Sequence, residues 1–161
     1  MDTTITISKR GKAEIYDEIM PQLASLLAGE RDFVANLANT TSVLKLAFPT
    51  VISWVGFYLL RKGELVLGPF QGKPACVRIA RGKGVCGSAA ARKETIIVPD
   101  VEAFPGHIYC DPDSRSEIVV PMLRRDVVLG VLDVDSNSLS SFDETDKKYL
   151  EQVVSLVLAN R

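Results

Sequence analysis

Apolar residues recur at helical spacing in the first third of the chain. One set falls in residues 15–27 and a second in residues 33–47, and each set predicts an amphipathic helix. Pro49 follows the second set and is expected to close that helix, because proline cannot donate the backbone hydrogen bond that a continuing helix needs. The chain is therefore expected to begin with two helices.

After Thr50 the pattern changes to runs of β-branched and aromatic residues. Residues 51–60 and 64–70 predict two strands that a three-residue turn joins into an antiparallel hairpin. Residues 117–122 and 127–136 predict two more strands. The connection between them is too short for a helical crossover, so this pair is also expected to be antiparallel.

The segment between the two predicted hairpins contains glycine, proline and few periodic positions. Residues 82–87 form a glycine-rich loop that is expected to open a short helix at residues 88–93, and residues 95–98 predict a further strand. Residues 99–115 then form a loop of about 17 residues, a length that is usually functional or disordered.

Apolar residues at helical spacing return near the C-terminus and predict a last helix. Ser141 and Glu144 have the spacing of a capping box at its start. Helices at both ends of an antiparallel sheet, with one helix inserted in the middle, predict an α+β domain with a ligand pocket on one face of the sheet. We expect residues 1–161 to form one such domain.

Composition and charge exclude several classes of partner. Nineteen Lys and Arg residues against 20 Asp and Glu residues give a net charge of -1, which offers no basic footprint for nucleic acid or anionic lipid. The sequence does not begin with a secretory signal, and its longest apolar run, residues 127–132, is far shorter than the ~20 residues that span a bilayer. We therefore predict a cytoplasmic protein without nucleic-acid or membrane contacts.

Acidic residues stand at the ends of the last two predicted strands. Alternation along the final strand places one set of side chains on a single face. That set is Val127, Leu129, Val131, Asp133 and Asp135. Glu117 opens the neighbouring strand, so strand pairing could bring three carboxyl groups to one surface. Such a cluster would attract an ammonium group and raise the pKa of at least one member, whereas the alternative interpretation is an ordinary solvated strand end.

Large aromatic residues share one face of the first predicted strand. Trp54, Gly56 and Tyr58 alternate with core-facing positions, and the glycine is expected to leave a slot between the two rings. Together with the acids, these rings would suit a small polar ligand that carries a methyl or cationic end. The alternative is that they simply cap the core.

The glycine-rich loop at residues 82–87 fits the pattern G-x-G-x-x-G, and Asp100 lies near the spacing of a dinucleotide-binding fingerprint. We reject that interpretation because Arg78 and Arg81 do not suit a buried parallel strand and no βαβ repeat follows. Backbone N–H groups at the start of the helix can still hold an anion such as a carboxylate. The alternative is a tight turn with packing glycines.

The chain has three cysteines, an odd number whose spacings match neither a disulfide framework nor a zinc site, and no metal is expected. Local context alone favours Cys86 as a nucleophile, because a helix N-terminus stabilises a thiolate. Cys110 lies beside Asp111 and Asp113, whose charges oppose a thiolate. Two further loop cysteines suggest thiol–disulfide exchange.

The single histidine, His107, lies three residues before Cys110 in the long loop. A Cys–His nucleophile pair is therefore conceivable. No third residue is available in the sequence to orient the imidazole, and a solvated loop histidine is the more common case. His107 is accordingly left outside the predicted site.

Seven runs of the sequence resemble, in order, the free methionine-(R)-sulfoxide reductases, which are single-domain GAF-fold enzymes. The resemblance covers residues 51–146 almost continuously, and the three cysteines at these spacings set it apart from ligand-sensing GAF domains. The runs are SWVGFYLL, LVLGPFQGKPAC, GKGVCGSAA, VPDVEAFPGHIYCD, SEIVVPM, GVLDVDS and SFDETD.

This resemblance implies a role for each cysteine. Cys110 would be the thiol that attacks the sulfoxide sulfur, Cys76 the main resolving thiol and Cys86 an auxiliary thiol. The resemblance therefore overrules the choice of Cys86 as nucleophile, which rested on its position at a helix N-terminus. Since acidic neighbours oppose a Cys110 thiolate, we expect the fold to bring a cation such as Arg115, or a helix end, close to it. A cysteine sulfenic acid would then condense to an intramolecular disulfide.

The resemblance also implies the pocket and the partners. Glu117, Asp133 and Asp135 would line the substrate pocket with Trp54 and Tyr58, and we expect Glu117 to protonate the sulfoxide oxygen. The electrons would come from a thioredoxin-type thiol donor, no cofactor is expected, and a homodimer is one option for assembly. The competing hypothesis is a GAF module that binds a small ligand or senses oxidants without turnover.

Overall fold

The computed structural model describes residues 3–161 as a six-stranded antiparallel sheet with helices on both faces, which confirms the predicted α+β class. The helices are α1 (Lys12–Leu27), α2 (Phe33–Ala47), α3 (Gly84–Arg92) and α4 (Glu144–Ala159). The strands are β1 (Trp54–Arg61), β2 (Glu64–Gln71), β3 (Arg78–Ala80), β4 (Ile96–Val98), β5 (Ser116–Arg124) and β6 (Val127–Ser136). Within residues 3–161, no helix combines the length and hydrophobicity that crossing a membrane requires.

Both predicted hairpins are present, and their turns explain why they form. Lys62 and Gly63 have φ angles of 51° and 83° between β1 and β2, and Arg125 and Asp126 have φ angles of 48° and 66° between β5 and β6. Two consecutive residues with positive φ follow the right-handed twist of the flanking strands. The two hairpins lie side by side, because β1 also pairs with β6.

The sheet separates two hydrophobic clusters. Val55 and Phe57 of β1 face a larger cluster that includes residues of α1, α2 and α4, whereas Trp54 and Tyr58 face a smaller cluster that includes residues of α3. Alternation along a strand gives this division directly. The smaller cluster is the one that surrounds the predicted site.

The connection from β3 to β4 explains how that second face is covered. The strand order is β3-β2-β1-β6-β5-β4, so β3 and β4 lie at opposite edges of the sheet. The intervening helix α3 spans this distance and packs against β5 and β6. It begins at Gly84, earlier than predicted, and a Cβ at Gly87 would collide with the carbonyl oxygen of Ala80. The glycine therefore permits close packing of α3 on β3.

The predicted cap of the last helix is wrong. Helix α4 is capped by Asp143, whose side chain accepts hydrogen bonds from the backbone of Thr145 and Asp146, while Asp146 accepts one from the Asp143 backbone. This is a capping box two residues later than the one predicted from Ser141 and Glu144. Ser141 instead donates to Ser136 Oγ at 2.8 Å, so its hydroxyl ties the loop to the end of β6.

The predicted alternation of β6 holds only for its second half. Val131 faces the smaller cluster, as does Val128, whereas Leu129 packs against the larger one. The cause is a register shift in the β5–β6 pairing between Met122 and Leu123, which inserts an additional β6 residue and exchanges the two faces. The shift lies before Asp133 and Asp135, so these two side chains still share a face, and it sets Glu117 opposite Asp135 instead of Val134.

Candidate active site

Strand pairing brings the three predicted acids together beneath α3. Glu117 on β5 lies opposite Asp135 on β6, and Asp133 lies opposite Gly56 on β1. Asp133 and Asp135 are two residues apart on one strand and therefore share a face. All three side chains line one cavity on the face of the smaller cluster. The solvated strand end is thus not the arrangement that the chain adopts.

The carboxyl groups are held away from water without a cation to balance them. Glu117 and Asp133 are 5% and 6% exposed, and no lysine or arginine within residues 3–161 forms an ion pair with the three acids. Burial raises the pKa of Glu117, Asp133 and Asp135 well above the usual range, and repulsion between the neighbouring carboxylates raises each pKa further. At least one member can therefore keep its proton near neutral pH and act as an acid.

Two of the three cysteines form a disulfide at this cavity. Cys76, which precedes β3, is bonded to Cys110 in the loop between β4 and β5, with their Cα atoms 5.3 Å apart. Cys110 lines the cavity, and the Tyr58 hydroxyl donates a hydrogen bond to the carbonyl oxygen of Cys76 at 3.0 Å. The segment before β3 and the long loop are therefore linked beside the site.

Cys86 is a free, buried thiol in the first turn of α3. Its sulfur lies 3.9 Å from Glu117 Oε1. Burial raises the pKa of the Cys86 thiol, and the charges of Asp133 and Glu117 raise it further. The helix start that favoured a Cys86 thiolate is therefore outweighed by an acidic and dry environment, which sequence context did not reveal.

A lysine compensates for the acidic neighbours of Cys110. The Lys73 ammonium lies 2.6 Å from Asp113 and 3.3 Å from Asp111. We expected Arg115 or a helix end in this role, but the ion pairs are made by Lys73, which lies in the segment after β2 that also carries Cys76. The negative charge beside Cys110 is thus partly neutralised.

The aromatic residues pack more tightly than predicted. The Trp54 ring stacks against Tyr58 and Phe70, with centroids 5.9 Å and 5.4 Å apart, and its Nε1 donates to the carbonyl oxygen of Lys73 at 3.0 Å. A Cβ at Gly56 would collide with the Trp54 ring. The expected slot between the rings is therefore filled by the indole, which forms one wall of the cavity instead.

His107 is the residue of this site that the sequence analysis missed. Its side chain is 6% exposed, and its Nε2 lies 3.4 Å from Glu117 Oε2. The interpretation of His107 as a solvated loop residue is therefore wrong, and the conceivable pairing with Cys110 is replaced here by the pairing with Glu117. The one available signal was its position three residues before Cys110 in an unusually long loop.

The cavity that these residues enclose is narrow, with a volume of about 40 Å³. Its wall combines the aromatic pair, the acids, two cysteines, the histidine and the start of α3, where backbone N–H groups have no partner within the helix. The lining includes Trp54, Tyr58, Gly84, Val85, Cys86, His107, Cys110, Glu117, Asp133 and Asp135. Such a wall can protonate a bound group and bind both ends of a zwitterion.

One set of side chains could also hold a metal ion. Ligand atoms of Cys86, Glu117 and Asp133 lie within 4.8 Å of one another. Tetrahedral zinc would bring its ligand atoms to about 3.3–3.8 Å apart, so these three side chains would have to move together. The expectation that the protein uses no metal stays a prediction.

Comparisons with known proteins show the family of the chain. The sequence profile of the GAF domain matches residues 13–160. The free methionine-R-sulfoxide reductase of Escherichia coli is 48% identical over 144 residues, covering 89% of this chain and 87% of the relative. The enzyme of the same name from Saccharomyces cerevisiae is 45% identical over 157 residues, covering 93% and 87%.

A solved structure gives the same result. The free methionine-R-sulfoxide reductase of Neisseria meningitidis, determined in complex with its substrate, is 49% identical and superposes with a TM-score of 0.96. The match covers 99% of this chain and 95% of that one. The chain therefore belongs to the free methionine-R-sulfoxide reductases, a family of oxidoreductases built on the GAF domain.

Proposed function

We propose that this protein reduces free L-methionine-(R)-sulfoxide to methionine with electrons from a thiol donor. The observation that carries the proposal is one cavity lined both by a buried acid cluster and by Cys110, which forms a disulfide with Cys76. The names of the E. coli and S. cerevisiae relatives and the substrate complex of the N. meningitidis protein support the substrate. The proposal assigns the whole reaction to one domain.

The first step activates the sulfoxide. A sulfoxide sulfur is a poor electrophile until its oxygen is protonated or hydrogen-bonded by an acid. We assign this role to Glu117, because burial raises its pKa and its Oε1 and Oε2 face Cys86 and His107 inside the cavity. The nearby charge of Asp135 raises the pKa of Glu117 further and so helps to keep its proton in place.

The second step transfers oxygen to sulfur. In the reduced enzyme, the Cys110 thiolate attacks the sulfoxide sulfur. Methionine leaves and Cys110 becomes a sulfenic acid. The thiol is thus oxidised by two electrons as the sulfoxide is reduced by two. The Cys76 thiol then attacks the sulfenic sulfur, the disulfide forms and water leaves. The disulfide in the structure corresponds to the product of this step.

A dithiol donor would complete the cycle by reducing the disulfide to two thiols. Cys76 and Cys110 are both only partly buried, so an attacking thiolate can reach the bond. We propose a thioredoxin-type protein as this donor. The cytoplasmic location and the homodimer stay predictions.

The cavity also suggests why the substrate is a free amino acid. The acids not used as the proton donor can neutralise the substrate ammonium, and the first N–H groups of α3, at Gly84 and Val85, can bind its carboxylate. Trp54 and Tyr58 provide an apolar wall for the S-methyl group. A peptide bond at either end of the substrate would remove a charge that this site is built to bind.

A substrate panel tests the proposed function. With dithiothreitol as reductant, purified protein is expected to release methionine from the free (R)-sulfoxide, and kcat/KM is expected to fall at least about 100-fold for N-acetylmethionine-(R)-sulfoxide, because an ion pair to a buried acid is lost. The free (S)-sulfoxide serves as a matched control. Equal rates with the acetylated substrate would contradict the recognition model, and oxidation of the protein without methionine release would favour an oxidant sensor.

A further inference from the structure

We propose that His107 is a positioning residue for Glu117, which holds the acid in its proton-bearing form and aims it into the cavity. This inference rests on the proposed function, since it concerns the same reaction. Its basis is the contact between His107 Nε2 and Glu117 Oε2 at 3.4 Å, with both side chains 7% exposed or less. Within residues 3–161, His107 is the basic side chain in contact with any of the three acids.

The loop does not need the nitrogens of the imidazole, whose ring packs edge-on against Tyr109 with centroids 4.7 Å apart, a contact that an apolar ring could also make. The loop is fixed at this point by the His107 backbone N–H, which donates to the Phe104 carbonyl oxygen at 3.2 Å, and by the disulfide at Cys110. Neither bond uses the side chain. Nδ1 of His107 is buried and has no hydrogen-bond partner among the described residues. A buried polar atom without a partner costs stability, so an apolar side chain would serve the fold better.

The surroundings decide which proton state the pair adopts. Burial lowers the pKa of His107 and raises that of Glu117, which favours a neutral imidazole beside a protonated carboxyl group. In that state Nε2 faces the carboxyl group as a hydrogen-bond acceptor and Nδ1 carries the imidazole hydrogen, so Glu117 keeps its proton and can turn it toward the sulfoxide oxygen when substrate binds. The other titratable groups on this cavity come from four elements and are acids, thiols or a phenol. They are Asp133 and Asp135 of β6, Cys86 of α3, Tyr58 of β1 and Asp111 of the loop, with Cys110 added when its disulfide is reduced.

The position of His107 in the chain links the acid to the attacking thiol. His107 and Cys110 lie three residues apart in the loop between β4 and β5. Any shift of this loop therefore moves the acid's partner together with the sulfur. The loop thus brings the nucleophile and the partner of the proton donor to the same cavity.

Three substitutions separate this role from packing. His107→Leu removes both nitrogens, His107→Asn keeps a polar atom near the position of Nδ1, and His107→Gln keeps an acceptor near the position of Nε2. We expect His107→Leu and His107→Asn to lower kcat about 10- to 100-fold while KM changes less than about threefold, because the effect falls on proton transfer. His107→Gln is expected to recover most of the rate.

The pH profile of kcat provides the second readout. An acceptor bonded to the protonated carboxyl group raises the pKa of Glu117, so its loss lowers that pKa. The alkaline fall of activity is therefore expected at lower pH in His107→Leu and His107→Asn, and near the wild-type position in His107→Gln. In a Glu117→Gln background, His107→Leu is expected to cause little further loss, because the two residues act as a unit.

The outcomes distinguish this inference from the proposed function. Absence of turnover by the wild-type protein would refute the proposed function itself. If the wild-type protein turns over but the alkaline limb of His107→Asn is not shifted, the role of His107 is overturned. The same holds if His107→Leu lowers kcat as much in the Glu117→Gln background as in the wild type. Near-ultraviolet circular dichroism checks that each variant folds. If His107→Leu does not fold, the comparison of His107→Asn with His107→Gln decides the question.

Discussion

Replacing Cys110 by serine is expected to lower turnover of free methionine-(R)-sulfoxide by roughly 1,000-fold or more, even with dithiothreitol in excess, because a serine hydroxyl cannot act as the attacking thiolate. The loss should be independent of the reductant, since no sulfenic acid or disulfide can form at this position. Steady-state release of methionine, followed by chromatography, measures the effect.

The same substitution at the other two cysteines provides matched controls. Cys76→Ser is expected to release methionine normally in the first turnover and then to accumulate a sulfenic acid on Cys110, which dimedone would trap. Cys86→Ser should keep a rate within about tenfold of wild type, because its buried thiol resists ionisation. Loss of activity in Cys86→Ser together with retained activity in Cys110→Ser would show that Cys86 is the nucleophile.

Replacing Glu117 by glutamine is expected to give the second-largest effect, a fall in kcat of about 100- to 1,000-fold, the usual contribution of a general acid. Burial raises the pKa of Glu117, so the wild-type enzyme should keep its proton donor at neutral pH and lose activity as the pH rises through that raised pKa. The amide cannot ionise, so the residual activity of the variant should show no alkaline fall attributable to residue 117.

An exposed glutamate offers a matched control for this result. Glu102, in the short 3₁₀ helix Val101–Ala103, is exposed and lies outside the cavity lining, so Glu102→Gln should leave both kcat and the pH profile as in the wild type. If Glu117→Gln retains the rate and the alkaline limb of the wild type, Glu117 is not the acid. Asp133, which is equally buried and has an unpartnered Oδ1, would then be the next residue to test.

Features that follow from strand periodicity and pairing could be predicted from the sequence. Alternation placed Trp54 and Tyr58 on one face of β1, and Asp133 and Asp135 on one face of β6. The pairing of Glu117 with Asp135 also depends on the register shift between Met122 and Leu123, which the pattern did not reveal. These relations depend on neighbours in one hairpin or one sheet. The register of a strand with a buried face is strongly specified by its hydrophobic pattern.

Features that depend on packing between distant loops could not be predicted. The burial of His107 requires the long loop to fold back over β5. The ion pairs of Lys73 with Asp111 and Asp113 join residues that are 38 and 40 positions apart in the chain. Likewise, the position of the Trp54 ring over Gly56 depends on Phe70 in the adjacent strand. Local residue preferences contain no information on these contacts.

A single-turnover experiment tests the central claim most directly. Fully reduced protein is mixed with excess free methionine-(R)-sulfoxide without any added reductant, and both the methionine released and the state of each cysteine are measured by mass spectrometry. The account predicts one methionine per chain, a Cys76–Cys110 disulfide and a Cys86 that remains a thiol. Absence of methionine, or a product in which Cys110 is still reduced while methionine has been formed, would contradict it.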